Sequence, residues 1–244
     1  MPQTVSKFPD ILRGPAMLWI TFSESISMIV DAAWHGASKA LGDKHVKSFS
    51  HRMLAMSRTK LETRGLGHVS AGQSYVFMSN HQSVMDIPAI LAAAPGSVRM
   101  VAKEGLFKVP FFGRAMLAAG FMPINRRSLE KAKQQLEHAK GSLQNGVSVW
   151  ISPEGTRSKT SELLPFKKGG FHVALSLGVP IVPVWIEGAG AVIPAHSYRI
   201  CTDKTICVTF GKPIETRGLT SEDLPELILK TRQAILGLPL ENNG

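Results

Sequence analysis

From about Leu61 onward, short runs of apolar and β-branched residues alternate with longer stretches whose apolar positions recur at helical spacing. The runs YVFMS (75–79), VRMVA (98–102), VSVWIS (147–152), IVPVWI (181–186) and TICVTF (205–210) read as strands. Residues 83–94, 128–144, about 169–177 and about 221–236 read as helices, the second stopped by Asn145-Gly146. Strands flanked by helices predict an α/β fold built on a largely parallel mixed sheet, with ligands at the carboxyl ends of its strands.

The N-terminal part follows a different pattern. On a helical wheel Leu18, Trp19, Phe22, Ile26, Ile29, Val30 and Ala33 share one face, while Glu24, Ser25, Ser27 and Asp31 take the other, with Ile20 and Met28 intruding there. The uncharged run from Gly14 to Ser23 is too short to cross a bilayer, and no small-residue cleavage pattern marks a signal peptide. The next stretch carries Lys39, Lys44, Lys47, Arg52, Arg58, Lys60 and Arg64 against Asp43 and Glu62. Two readings stand side by side: an amphipathic helix and basic segment lying on an anionic bilayer, or a helical hairpin packed on its own core with a solvated basic side. The chain divides accordingly into an N-terminal helical segment, 1–60, and an α/β domain, 61–244.

Composition narrows the partners. A chain of 244 residues with 44% hydrophobic and 19% charged residues is an ordered globular protein. Its formal charge of +10 calls for an anionic partner: nucleic acid, a phosphorylated substrate or an anionic membrane surface. Two cysteines, Cys201 and Cys207, lie close together without a second pair to complete a zinc site, and suit a reduced compartment.

Chemistry concentrates at three strand ends. NHQSVMD (80–86) follows the first strand, WISPEGTRS (150–158) closes another, and GFMPINRR (120–127) adds Arg126 and Arg127. In the first block Ser83-Val84-Met85-Asp86 fits an S-x-x-D helix cap, with Ser83 as N-cap and Asp86 reaching back to a free amide. On that reading His81 has no task. A catalytic reading shares the same backbone. Five positions along one helix turn through about 140°, so His81 and Asp86 meet only if His81 precedes the helix and Asp86 lies in its first turn. A carboxylate on one ring nitrogen would fix the tautomer and leave the other nitrogen as a base. The two readings differ in where the Asp86 carboxylate points.

Other chemistries lack their signals. There is no G-x-S-x-G elbow, P-loop, dinucleotide fingerprint or H-E-x-x-H spacing, and no nucleic-acid-binding motif accompanies the charge. A base without a nucleophilic side chain suggests direct transfer to a substrate hydroxyl.

These blocks resemble a known family. NHQSVMD is similar to the N-H-x4-D block of the glycerolipid acyltransferases, PEGTRS to their E-G-T-R block, FKVPFFGRAMLAAGFMPINR to the segment joining them, and VPIVPVWI to their proline-containing fourth block. The resemblance runs over roughly residues 61–210 and is nearest to the bacterial 1-acylglycerol-3-phosphate type. It implies acyl transfer from a thioester on coenzyme A or acyl carrier protein to the 2-hydroxyl of lysophosphatidic acid, giving phosphatidic acid, with no cofactor beyond that co-substrate and no metal. His81 would be the general base and Asp86 its polarising partner, without a covalent acyl-enzyme. Lys103, Arg126, Glu154, Gly155, Thr156 and Arg157 would line the acceptor pocket, the arginines near the phosphate. Bidentate guanidinium suits a phosphate monoester on chemical grounds as well. Glu154 can equally be an ion-pair partner of Arg157 and Asn80 a loop anchor, while Arg127, Lys167 and Lys168 read as solvated charges. The implied partners are the acyl thioester, a lysophospholipid and an anionic membrane surface, not nucleic acid. The implied place is the cytoplasmic face of the inner membrane, by peripheral or monotopic contact. Two alternatives remain: acylation of another lysolipid, such as a lyso-ornithine lipid, and a non-catalytic membrane-surface protein.

Overall fold

The computed structural model describes residues 10–124, 146–160, 162–197 and 199–239. Its centre is a strand buried on both faces, β2 (Val76–Ser79). The remaining strands are β1 (Lys60–Arg64), β3 (Ser97–Lys103), β4 (Met122–Ile124), β5 (Val147–Ile151), β6 (Ile181–Glu187) and β7 (Thr205–Phe210), in the spatial order β1-β7-β6-β2-β5-β3-β4. Every neighbouring pair is parallel except β6 with β7. The largely parallel mixed sheet is therefore observed, and the five strands from β6 to β4 point the same way. Their carboxyl ends form one edge, and β2 stands at the centre of the seven-stranded sheet.

Alternation along the strands feeds two cores. Tyr75, Phe77, Trp150, Val182, Val184, Ile206 and Phe210 face one side, where α1 (Arg13–His35), α2 (Lys39–Met56), α3 (Asp86–Ala93) and α4 (Phe112–Ala118) contribute Met17, Met28, Val46, Leu54, Ile90 and Ala115. Val76, Met78, Val149, Ile151 and Ile181 face the other, covered by Phe171 of α5 (Gly169–Leu177) and Leu227 and Ile235 of α7 (Leu224–Gly237). A short α6 (Ala189–Val192) follows β6. The expected helix over 128–144 lies outside the described residues. Two strands escaped the sequence reading. KLETR is a polar edge strand beside β7, and MPI has three residues and a proline.

The N-terminal hairpin turns the apolar face of the helical wheel outward. Met17, Ile20, Glu24, Ser25 and Met28 of α1 are buried, so the polar face with its two apolar intruders packs inward. Leu18 (73% exposed), Trp19 (64%) and Phe22 (45%) face outward. Besides the core residues they share, α1 and α2 are joined by a polar seam. Glu24 accepts from Arg52 Nη1 (2.7 Å) and Ser48 Oγ (2.7 Å), and its other oxygen faces His45 Nδ1 (3.3 Å). Asp31 takes His45 Nε2 (2.9 Å) and Lys44 Nζ (3.2 Å). Burial pushes the Glu24 carboxyl up, but bonds from Ser48, Arg52 and His45 outweigh it and hold the group below its ordinary value.

The hairpin is also bolted to the sheet. The buried Arg99 of β3 donates to Asp43 (2.7 Å) and to the Lys39 carbonyl (3.2 Å), and Ser97 bonds the same carboxylate. Gly42 sits where any Cβ would strike Arg99 at 2.7 Å and the Ala119 carbonyl at 2.9 Å, so only glycine lets α2 come this close. Two expectations change here. The 23-residue α1 is long and apolar enough to cross a bilayer by length and composition, although its uncharged run alone is not. The basic segment is partly spent on internal pairs: Lys44–Asp31, Arg52–Glu24, Arg58–Asp203 and Lys60–Glu62.

Candidate active site

Beyond Ser79 the chain leaves the sheet at the middle of its carboxyl edge. Asn80, fully buried, clamps β6: Nδ2 donates to the Ile186 carbonyl and Oδ1 accepts from the Ile186 amide, each at 2.8 Å. Asn80 is thus the loop anchor foreseen for it. The next residue, His81, is held at four points. Its amide donates to Glu154 Oε1 (2.7 Å), and its carbonyl accepts from the Ser158 amide (2.8 Å). Its Nδ1 lies 2.7 Å from Asp86 Oδ2, and its ring meets Trp150 edge to face, at 5.7 Å between centroids and 87° between planes. Only Nε2 lacks a protein partner among the described residues, and the side chain is 18% exposed.

His81 and Asp86 meet in the way their spacing requires, with the histidine before the helix and Asp86 its first residue. The fully buried carboxylate serves both readings at once. Its Oδ2 accepts from His81 Nδ1, from the Gln82 amide (2.7 Å) and from the Ser83 amide (2.8 Å). An oxygen that takes two backbone N–H groups can only accept from Nδ1, so a ring proton sits there, and in the neutral ring Nε2 carries the lone pair. Oδ1 is buried with no partner among the described residues. The cap itself differs from expectation. The helix begins at Asp86, and Ser83 does not cap it; Ser83 Oγ donates to the Ile193 carbonyl (2.6 Å) and accepts from the Met85 amide (3.1 Å), stabilising a turn ahead of the helix.

The E-G-T-R loop follows β5, the neighbour of β2. Glu154 is buried and forms no ion pair with Arg157; its second oxygen accepts from the Leu164 amide (2.9 Å). Burial raises its carboxyl above the ordinary value, against the lowering effect of the two amides and of His81. With both oxygens turned to backbone, Glu154 offers the site the position of His81 rather than a surface for a ligand. Gly155 takes a left-handed conformation (φ 69°), and the stem of Lys167 passes over it, 3.0 Å from where a Cβ would stand. Lys167, expected as a solvated charge, is exposed and lies beside this loop. Thr156 is exposed, and Arg157 is half-buried without an ion pair among the described residues. Lys103 ends β3, the next strand along, and is exposed. Arg126 and Arg127 lie outside the described residues, although β4 ends at Ile124 on the same edge.

Trp150 and Ser158 were not singled out from sequence, and Lys167 was read there only as a solvated charge. Trp150 reads there as a strand residue, and Ser158 contributes through its amide, which no sequence pattern announces. No group of three or more His, Cys, Asp or Glu among the described residues could hold a metal ion. The arrangement can accept one proton at Nε2, on the sheet edge that also carries Arg157 after β5 and Lys103 at the end of β3.

Residues 60–187, just over half of the chain, match the model of the acyltransferase family, and they contain every element of this site. The chain belongs to that family. A chloroplastic 1-acyl-sn-glycerol-3-phosphate acyltransferase of Brassica napus is 31% identical over 221 residues, covering 87% of this chain and 64% of the relative. The human 1-acyl-sn-glycerol-3-phosphate acyltransferase alpha is 35% identical over 178 residues, covering 72% and 62%. This acyltransferase-family chain thus spans under two thirds of the length of these curated relatives. The crystal structure of the 1-acyl-sn-glycerophosphate (LPA) acyltransferase PlsC from Thermotoga maritima superposes with a TM-score of 0.78 over 96% of both chains, at 23% identity, and so shares the fold.

Proposed function

We propose that the chain transfers a fatty acyl group from an acyl thioester, on coenzyme A or acyl carrier protein, to the 2-hydroxyl of lysophosphatidic acid, giving phosphatidic acid. The observation that carries this reading is His81: every handle on it is taken except Nε2, at the middle of the sheet edge. The relatives bearing the 1-acylglycerol-3-phosphate acyltransferase name support the choice of acceptor.

The chemistry follows from the geometry. Nε2 takes the proton of the acceptor hydroxyl as its oxygen attacks the thioester carbonyl. Asp86 stabilises the imidazolium that forms. The new C–O ester bond replaces the C–S bond, and the departing thiolate receives the proton back from Nε2. Nothing is left on the protein. Arg157, with Arg126 and Lys103, reads the acceptor phosphate, because half-buried guanidinium binds a phosphate dianion in a fixed orientation. Gly155 and Thr156 shape the loop on which Arg157 is carried.

The outward apolar face of α1 fits a monotopic contact with the cytoplasmic leaflet. Trp19 packs beside Phe22 (5.9 Å), and Phe22 meets the exposed Phe111 of the loop after β3 (5.8 Å). Apolar area and nearby cations act together at an anionic surface. The test is to incubate the purified protein with labelled acyl-CoA or acyl carrier protein and a panel of lysolipids. Labelled phosphatidic acid is expected from lysophosphatidic acid. Label on a lyso-ornithine lipid or on a larger head group instead would correct the acceptor, and no product from any lysolipid would leave a non-catalytic surface protein.

A further inference from the structure

We propose that Trp150 is a positioning residue for the His81 imidazole, setting the plane in which Nε2 faces the substrate; this rests on the reading of His81 as the base. The bond from Nδ1 to Asp86 fixes one atom of the ring. With Cγ held by its covalent bond and Nδ1 by this hydrogen bond, the ring can still tilt about the line through the two and swing Nε2 sideways. The indole closes that freedom, because it meets the imidazole at 87° with centroids 5.7 Å apart and blocks the tilt on its side.

The indole is itself immobile. Trp150 is buried in the core, on a strand paired with β2 at Phe77 and with β3 at Met100. Its Nε1–H donates to Ser79 Oγ (2.9 Å), whose hydroxyl donates on to the Asn80 carbonyl (2.8 Å). Asn80 in turn grips both polar groups of Ile186. This chain of buried bonds runs from the central strands to the residue preceding His81. The rigidity of the sheet thereby reaches a side chain that otherwise stands on a loop. Such control matters because a misplacement of about 1 Å at a reacting group can cost about a hundredfold in rate.

Trp150→Leu, Trp150→Phe and Ser79→Ala separate this role from simple packing. Two readouts are taken at a temperature where circular dichroism shows every variant folded: kcat and KM for the acceptor, and the ¹⁵N-edited NMR signal of the His81 Nδ1–H. Trp150→Leu should lower kcat by about a hundredfold with KM nearly unchanged, and should broaden or abolish the Nδ1–H signal. Trp150→Phe, which restores a ring but not the Nε1 donor, should recover most of both. Ser79→Ala should fall between Phe and wild type. Wild-type kcat with an intact Nδ1–H signal in Trp150→Leu would overturn the proposal. So would a loss confined to melting temperature or to KM. If Trp150→Leu does not fold, Trp150→Met takes its place as the ring-less variant, and wild-type kcat with an intact Nδ1–H signal there overturns the proposal. Should the wild-type protein acylate no lysolipid, the reading of His81 as a base falls, whereas the NMR comparison still decides whether Trp150 orients the ring.

Discussion

Among the described residues two histidines pair with carboxylates, and they differ in what they leave open. His45 lies in the seam between α1 and α2 with a carboxylate on each ring nitrogen, Glu24 on Nδ1 and Asp31 on Nε2. Both nitrogens are engaged, so the ring has no position from which to take a proton from anything else. His81 has one carboxylate, on Nδ1, and its Nε2 has no protein partner among the described residues. A histidine beside an acid is therefore not by itself a sign of catalysis. The deciding feature is whether a nitrogen remains unspent.

The largest effect that tests this contrast is His81→Ala. Turnover should fall by about 10²–10⁴, the range for a lost general base, while the melting temperature barely moves. His45→Ala should do the reverse. It removes one bond from each of two carboxylates, costing about 1–3 kcal/mol in urea unfolding, with kcat on detergent-dispersed acceptor essentially kept. Equal losses of turnover in the two variants would erase the distinction.

Asp86→Asn comes next. The amide oxygen can still take the backbone N–H groups of Gln82 and Ser83, but a neutral partner does not stabilise an imidazolium. Turnover should drop nearly as far as in His81→Ala. Near-wild-type turnover would reduce Asp86 to a structural cap. Arg157→Ala should mainly raise KM for the phosphorylated acceptor and spare KM for the acyl donor. Steady-state kinetics with each substrate varied in turn checks this, and equal changes in both would assign Arg157 to structure or to the carrier.

The smallest effect is a pH response that differs in sign between the two regions. The Glu24 and Asp31 carboxyls sit below their ordinary values of 4.5 and 3.8, so their contribution is present above those values and fades as acid protonates them. Glu154 is raised above 4.5 by burial, so its contribution favours the folded state on the acid side and is lost as pH rises through its folded value. Urea midpoints measured from pH 7 down to pH 3 should fall for the wild-type protein. The fall should be shallower in Glu24→Gln and steeper in Glu154→Gln. Parallel curves for all three would show that neither carboxylate is linked to folding in this way.

The contrast also explains what could be read from sequence. Strands β2, β3, β5, β6 and β7 announce themselves as apolar runs because both faces of a parallel sheet are covered. KLETR does not, because an edge strand can be polar. His81 and Asp86 fall within one block of seven residues, so local geometry links them. Glu154 reaches His81 across 73 positions and Glu24 reaches His45 across 21, and residue order alone carries neither contact. Trp150 was hidden in a run where any large apolar residue would read the same. The helical wheel of α1 was right about which residues share a face. It left open which face turns inward, and the structure takes something from each reading: a packed hairpin whose apolar face is exposed.

The seam between α1 and α2 has a consequence for the solvent in which the hairpin can exist. Two helices joined by leucine-like contacts gain little from staying together in a medium of acyl chains, which are as apolar as the seam itself. Ion pairs behave in the opposite way: the field between Glu24 and Arg52 strengthens as the surrounding dielectric falls. A hairpin zipped by charge and coated with tryptophan and phenylalanine thus keeps its shape when its outer face leaves water for oil. In plain aqueous buffer the same coat has only other copies of itself to meet, so detergent belongs in the storage buffer as much as in the assay.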